Sequence, residues 1–256
     1  MKLTHIALAG LLAISANALE KLKVGATPVP HAEILELIKP DLTEAGYELE
    51  IFVFNDGILP NKKTDEGELD ANYFQHLQYL NEFNKQKGTH LVPTVGVHLE
   101  PMGLYSKKIK SVSEFKKGDK ITIPNDPTNE TRSLLLLQKA GLIKLNDNPL
   151  AKIQDIVENP LSLQILELEP AQLPRTLRDT TASVINTNHA LNAKLNPEND
   201  TIYMEKVENN PYVNYVVVRD GSQDKPKIKA LDKAITSEKV KNFIKQKYQN
   251  VVIPNF

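Results

Sequence analysis

Leu22-Lys23-Val24-Gly25-Ala26-Thr27-Pro28-Val29-Pro30-His31, with its continuation to Phe54, decides the fold class. Leu22 to Ala26 reads as a strand feeding a turn. Thr27-Pro28-Val29-Pro30 is a rigid helix entry, because proline presets φ and is tolerated in a first helical turn. A helix is expected over 31–45, where Ile34, Leu35, Ile38 and Leu42 recur at helical spacing and Gly46 stops it. Glu48 to Phe54 reads as a short alternating strand. Strand, helix and strand in this order form a βαβ unit, which predicts an α/β protein with a parallel sheet.

Toward the C-terminus, the aromatic segment Asp70 to Asn84 reads as a helix. Leu91 to Val97 and Gly103 to Tyr105 read as strands. Lys107 to Lys120 is basic and polar, with a short helix near Val112 to Phe115, and marks a transition between lobes. A second α/β unit follows. Lys120 to Pro124 reads as a strand and Asn129 to Lys139 as a helix ended by Gly141. Leu163 to Leu168 is a strand, Ala171 to Arg178 a short helix and Ala182 to Ile185 a buried strand. Tyr212 to Arg219 is strongly β-forming, and 226–248 is an amphipathic helical region. Such an order suits a two-lobed protein with a cleft, where ligands sit beyond the C-terminal ends of strands.

Toward the N-terminus, residues 1–18 read as a secretory signal peptide. Lys2 supplies the positive start, Ile6 to Ile14 a short apolar core and Ala16-Asn17-Ala18 a cleavage site. That core is too short to cross a bilayer, which takes roughly 20 apolar residues. The mature chain would begin at Leu19 and carry a formal charge of 30 − 32 = −2 after losing Lys2.

The 256 residues are 41% apolar and 25% charged, the balance of a soluble globular chain. Basic and acidic residues number 31 and 32, so no basic excess exists to grip nucleic acid. Cysteine is absent, which excludes disulfides, thiolate catalysis and zinc–cysteine sites. Tryptophan is also absent, so any aromatic wall must come from Tyr, Phe or His. No nucleophile elbow, P-loop or H-E-x-x-H is present. Ser113-Glu114-Phe115-Lys116 fits S-x-x-K without its companion motifs. The six histidines show no helical pairing, so neither a metal site nor a cofactor is expected.

The most informative local feature is Ile123-Pro124-Asn125-Asp126-Pro127-Thr128-Asn129-Glu130-Thr131-Arg132. A strand ends, prolines set the turn and a helix begins, capped by Thr128 or Asn129. Free N–H groups of its first turn would suit an anion. Arg132 lies in that turn, against the helix dipole. The chain has only four arginines against 27 lysines. Arginine's planar fork suits a carboxylate, so Arg132 either clamps a ligand carboxylate or pairs with an acidic neighbour. The segment Tyr73-Phe74-Gln75-His76-Leu77-Gln78-Tyr79 is either core or an aromatic slot for an apolar or thioether side chain.

Together these stretches resemble the methionine-binding (NlpA/MetQ-like) substrate-binding proteins of ABC importers. Val24 to Ile34, Gly67 to His76, His98 to Ser106, Ile123 to Arg132 and Gly141 to Leu145 carry the likeness. Asn159-Pro160, Ala171 to Arg175, Val184-Ile185-Asn186 and Pro211 to Asn214 extend it over essentially the whole mature chain. The resemblance implies a two-lobed type II periplasmic-binding-protein fold, non-enzymatic and monomeric, with its ligand in a cleft between lobes. Lobe I would be 19–107 and 206–256, and lobe II 108–205. Arg132 would clamp the ligand carboxylate, Asn186 and Asn214 would bind its head group, and Phe74, His76 and Tyr79 would line the side-chain slot. The ligand would be methionine or a related amino acid or dipeptide, delivered to an ABC permease in the inner membrane. A surface antigen or adhesin using the same scaffold is the other class of function.

Departures from the family pattern sharpen these expectations. The family's lipobox cysteine is missing, so a soluble periplasmic protein is expected. Asp56-Gly57-Ile58-Leu59-Pro60-Asn61 stands where the family commonly carries Asp-Tyr-Val-Gln-Pro-Asn. Gly57 thus removes an aromatic wall of the slot. Thr131 replaces a usual glycine, and Gln78 a frequent proline.

Overall fold

The computed structural model describes residues 18–256. The signal peptide expected over 1–18 lies, apart from Ala18, outside the described residues. In chain order the elements are β1 (Glu20–Ala26), α1 (Glu33–Glu44), β2 (Tyr47–Val53), α2 (Leu59–Asp65), β3 (Ala71–His76), α3 (Leu77–Lys87), β4 (Leu91–Leu99) and β5 (Gly103–Tyr105). Then come β6 (Lys120–Pro124), α4 (Pro127–Lys139), β7 (Lys144–Leu145), β8 (Ile156–Glu158), β9 (Gln164–Leu168), α5 (Leu173–Thr176), β10 (Ala182–Ile185), α6 (Thr187–Asn192), α7 (Pro197–Asp200) and β11 (Thr201–Met204). The chain ends with β12 (Val213–Arg219), α8 (Pro226–Ile235), α9 (Glu238–Tyr248) and β13 (Ile253–Pro254).

These strands form two principal sheets. The first is six-stranded in the order β13-β4-β12-β3-β1-β2, and the second five-stranded in the order β11-β5-β10-β6-β9. Each has its own core. In the first, Leu22, Val24, Ile34, Leu35, Ile38 and Leu42 pack with Ile228, Leu231, Val240 and Ile244, so the apolar stripe of α1 meets the two C-terminal helices. In the second, Leu104, Ile121, Ile123, Leu134, Leu137 and Val184 pack together. Two lobes result, the first built from both ends of the described chain.

The βαβ unit is present, with β1 and β2 paired in parallel from Glu20↔Tyr47 to Ala26↔Val53. The parallel-sheet expectation is corrected, since both sheets are mixed. β12 runs antiparallel to β3 and β4, and β5 antiparallel to β10 and β11. Those antiparallel strands lie where the chain crosses between sheets, and such crossings need no right-handed helical return.

Residues 70–84 are also corrected. Ala71–His76 is a strand, and the helix begins only at Leu77. β3 lies between β1 and β12 and is buried on both faces, so it lacks the polar alternation that betrays a half-exposed strand. Its polar residues are satisfied internally. Asn72 Nδ2 donates to Thr64 Oγ1 at 2.9 Å, and Asn61 Nδ2 to Gln75 Oε1 at 2.9 Å. Gly103–Tyr105 belongs to the second sheet.

Candidate functional site

β6 ends at Pro124, and α4 starts at its C-terminal end. The helix begins at Pro127, with Asp126 as its cap accepting from the Asn129 backbone N–H at 3.0 Å. The expected cap at Thr128 or Asn129 is therefore corrected. A carboxylate caps at least as well as a hydroxyl or amide, and Pro127 occupies the first helical position where its missing N–H costs nothing. Two consequences follow. The first-turn donor expected to await an anion is already held by Asp126. Arg132 stands in the second turn, where opposition to the helix dipole has faded.

Beyond these strand ends lies a cavity of about 330 Å³. Phe74, His76, Tyr79, Arg132, Asn186 and Asn214 all line it. They come from both lobes. Phe74, His76, Tyr79 and Asn214 belong to β3, α3 and β12, whereas Arg132 and Asn186 belong to α4 and the end of β10. Antiparallel pairing places Asn214 directly opposite His76.

Arg132 is 3% exposed. Its Nε donates to Glu205 Oε1 at 2.8 Å, and its Nη2 to Glu205 Oε2 at 2.5 Å and to the Glu100 carbonyl at 2.8 Å. The Tyr212 ring lies 4.0 Å from the guanidinium carbon. Both readings of Arg132 thus have a physical basis. It makes the acidic pairing, and Nη1 remains without a protein partner in a residue that lines the cavity. Glu100 and Glu205 sit on the two chain crossings, β4 to β5 and β11 to β12. One guanidinium therefore ties both crossings to α4. Burial would raise the Glu205 carboxyl, but the Arg132 hydrogen bonds and charge, with the Met102 N–H and Asn210, hold it below its ordinary value.

A chain of amides crosses the cleft. Asn129 Nδ2 donates to both Asp126 oxygens at 3.0 Å, which leaves Asn129 Oδ1 as the acceptor. That oxygen receives Asn186 Nδ2 at 2.9 Å and His76 Nε2 at 3.4 Å. His76 Nδ1 in turn accepts from the Tyr79 backbone N–H at 3.1 Å and caps α3. Each assignment fixes the next, and Asn186 Oδ1 ends buried without a donor. Burial, helped by the Arg132 charge, lowers the His76 pKa from 6.5 to about 3. The unfolded chain therefore binds the proton first as pH falls below 6.5, and the native state loses stability down to its own lower pKa. His76→Asn keeps a capping acceptor. Denaturant titrations at pH 7 and pH 5 are expected to show wild type losing about 2 kcal/mol more than this variant.

The slot wall is aromatic. Phe74 and Tyr79 meet edge to face at 5.9 Å, and Tyr79 stacks with Phe83 at 6.3 Å. Phe83, one helical turn beyond Tyr79, was not among the expected site residues. A Cβ placed on Gly57 would lie 2.5 Å from Tyr79 Oη and 3.3 Å from Phe74 Cε2. The space left by the missing side chain is therefore taken by Tyr79.

Behind the cavity lies a cluster that histidine spacing did not reveal. His31, His98 and Glu100 bring one donor atom each within 4.8 Å of one another. Such a set could hold a metal by donor type, contrary to the expectation from sequence spacing. Its atoms already serve one another: His98 Nε2 donates to Glu100 Oε1 at 2.7 Å, and His31 Nε2 to Asn214 Oδ1 at 3.2 Å, with Glu100 Oε1 at 3.4 Å. Tyr73 Oη donates to His98 Nδ1, and Thr27 Oγ1 to His31 Nδ1 at 2.7 Å. These partners set both rings as Nε2–H tautomers. Burial lowers His31 to about 4 and His98 to about 3, so both are neutral near neutral pH.

The two-lobed α/β architecture, with a polar and aromatic cavity at the strand ends, is that of a substrate-binding protein. A family model described as NlpA lipoprotein matches residues 22–256, and the chain belongs to that family. It is 39% identical to the methionine-binding lipoprotein MetQ of Bacillus subtilis, over 92% of this chain and 88% of that one. It is 44% identical to the D-methionine-binding lipoprotein MetQ of Escherichia coli, over 82% of this chain and 78% of that one. Among solved structures, a nutrient-binding protein from Burkholderia cenocepacia bound to methionine superposes with a TM-score of 0.89. That match has 42% identity and covers 92% of this chain and all of the other.

Proposed function

We propose that this protein is the substrate-binding component of an ABC importer and takes methionine or a closely related amino acid between its lobes. The cavity carries this reading. One end presents the free Nη1 edge of Arg132 and the unbonded Nδ2 of Asn214, both suited to a carboxylate. The other is walled by Phe74 and Tyr79, whose ring edges suit a thioether. Asn186 supplies a further head-group contact, and His76 closes the junction between head group and slot. Lobe I is taken as 19–102 and 206–256, with lobe II between, and the crossings at Glu100 and Glu205 serve as the hinge. We place the protein in the periplasm as a soluble monomer that docks on a membrane permease when closed. The 256 residues contain no cysteine, the residue to which a bacterial lipid anchor is attached.

A longer ligand is the second reading. The cavity lining also includes Gln86 and Lys87, beyond Tyr79 on α3, which leaves room for a methionine-containing dipeptide. Protein unfolded, stripped and refolded is expected to give a one-to-one calorimetric titration with L-methionine. No heat with methionine, together with another compound released on denaturation and identified by mass spectrometry, would overturn the first reading.

A further inference from the structure

We propose that the Glu100 carboxylate, together with Asn186 Oδ1, receives the ammonium group of an α-amino acid ligand. This rests on the amino acid reading above and adds the residue that makes the amine obligatory.

Glu100 is 6% exposed, yet it lines the cavity. A buried carboxylate needs a compensating charge or several donors. The nearby cation does not serve it. Arg132 is matched in charge by Glu205 and touches only the Glu100 backbone carbonyl. The side-chain donors aimed at Glu100 are the neutral imidazoles His98 and His31. They orient the carboxylate without neutralising it. Burial raises its pKa, with His31, the Asn188 backbone N–H and the Arg132 charge acting in the opposite direction. No lysine or arginine among the described residues forms an ion pair with this carboxylate, so a ligand cation would be its first.

The amide chain points to the same group independently. Asp126 fixes Asn129, Asn129 fixes Asn186, and Asn186 Oδ1 is left buried with no donor. An orphan acceptor calls for a ligand atom that carries hydrogens. A carboxylate or a thioether carries none, whereas an ammonium carries three donors. Glu100 and Arg132 are also neighbours, joined through the Glu100 carbonyl at 2.8 Å. Anion and cation side by side match a zwitterionic head group, whose two charges are only a few bonds apart. His31 binds Asn214 Oδ1, which turns the Asn214 amide nitrogen away as a donor for the ligand carboxylate.

The test compares L-methionine with its des-amino analogue, 4-(methylthio)butanoate, by calorimetry on stripped protein. Wild type is expected to prefer methionine by at least about a hundredfold, since a buried charged contact is worth several kcal/mol. Glu100→Gln, which keeps shape and accepts the same histidine N–H groups, is expected to compress that preference below about tenfold. A merely structural role would weaken both ligands equally. If Glu100→Gln does not fold, Asn186→Ala gives the second measure, with the preference again reduced. Wild type binding both compounds within about threefold overturns the proposal without any variant. So does a Glu100→Gln preference equal to wild type. One-to-one binding of Zn²⁺ that blocks methionine would make the cluster a metal site and also overturns it. A wild type that takes no methionine overturns the parent reading instead.

Discussion

Replacing Arg132 with alanine is expected to weaken methionine binding by more than about a hundredfold and to destabilise the empty protein. The first effect follows from the loss of the only guanidinium in the cavity. The second follows from Glu205. Its side chain is nearly buried and bonded twice by Arg132. Removing the cation leaves an uncompensated carboxylate, at a cost of about 3–5 kcal/mol. The double variant Arg132→Ala/Glu205→Gln separates the two effects. It is expected to recover much of the stability and none of the binding. Recovery of binding within threefold of wild type would make Arg132 a structural residue alone. Acidity supplies a further check. The depressed Glu205 pKa contributes stability above the ordinary value of 4.5, and that stability is lost as pH falls through the folded pKa. The stability deficit of Arg132→Ala is therefore largest near neutral pH and shrinks in acid.

The second large effect is expected at the slot wall. A fully buried tyrosine covers on the order of 150–250 Å², and Tyr79 is half-buried on the cavity wall. If about a third of that faces the ligand, its loss costs about 1.5–2 kcal/mol, or roughly ten- to thirtyfold in affinity. Tyr79→Ala should show that loss by calorimetric titration. A side chain at position 57 requires the present Tyr79 to move, because a Cβ there would lie 2.5 Å from its hydroxyl. The double variant Tyr79→Ala/Gly57→Tyr restores an aromatic from the opposite side of the slot. It is expected to return to within about fivefold of wild type. The two changes are thus strongly non-additive, as expected for residues that share one space. Additive losses would show that Tyr79 is not the replacement wall.

Much of this molecule was legible one segment at a time. Gly103 to Tyr105, Lys120 to Pro124 and Ala182 to Ile185 were read as strands and are strands with those ends. Gly141 closes α4 with a positive φ of 76°, the backbone state that favours glycine after a helix. These features depend on a few adjacent residues. The strand at Ala71 to His76 was misread because its character comes from its neighbours in the sheet. The aromatic segment reads as one helix in isolation, and burial on both faces of β3 overrides that reading. The start of α4 slipped by two residues because an aspartate three positions before Asn129 was a better cap than the residues first considered.

By itself, the sequence determined the α/β class, the two units, the family and six of the residues that line the cavity. It could not show that Glu205 answers Arg132 across 73 residues, or that His31 and His98 converge on Glu100. Nor could it show where Tyr79 goes when Gly57 leaves room. Strand and helix propensity, capping and proline geometry act over a few residues, so they are written locally. Charge compensation, tautomer choice and the filling of a vacated space depend on atoms brought together from distant segments. Only the packed chain decides them.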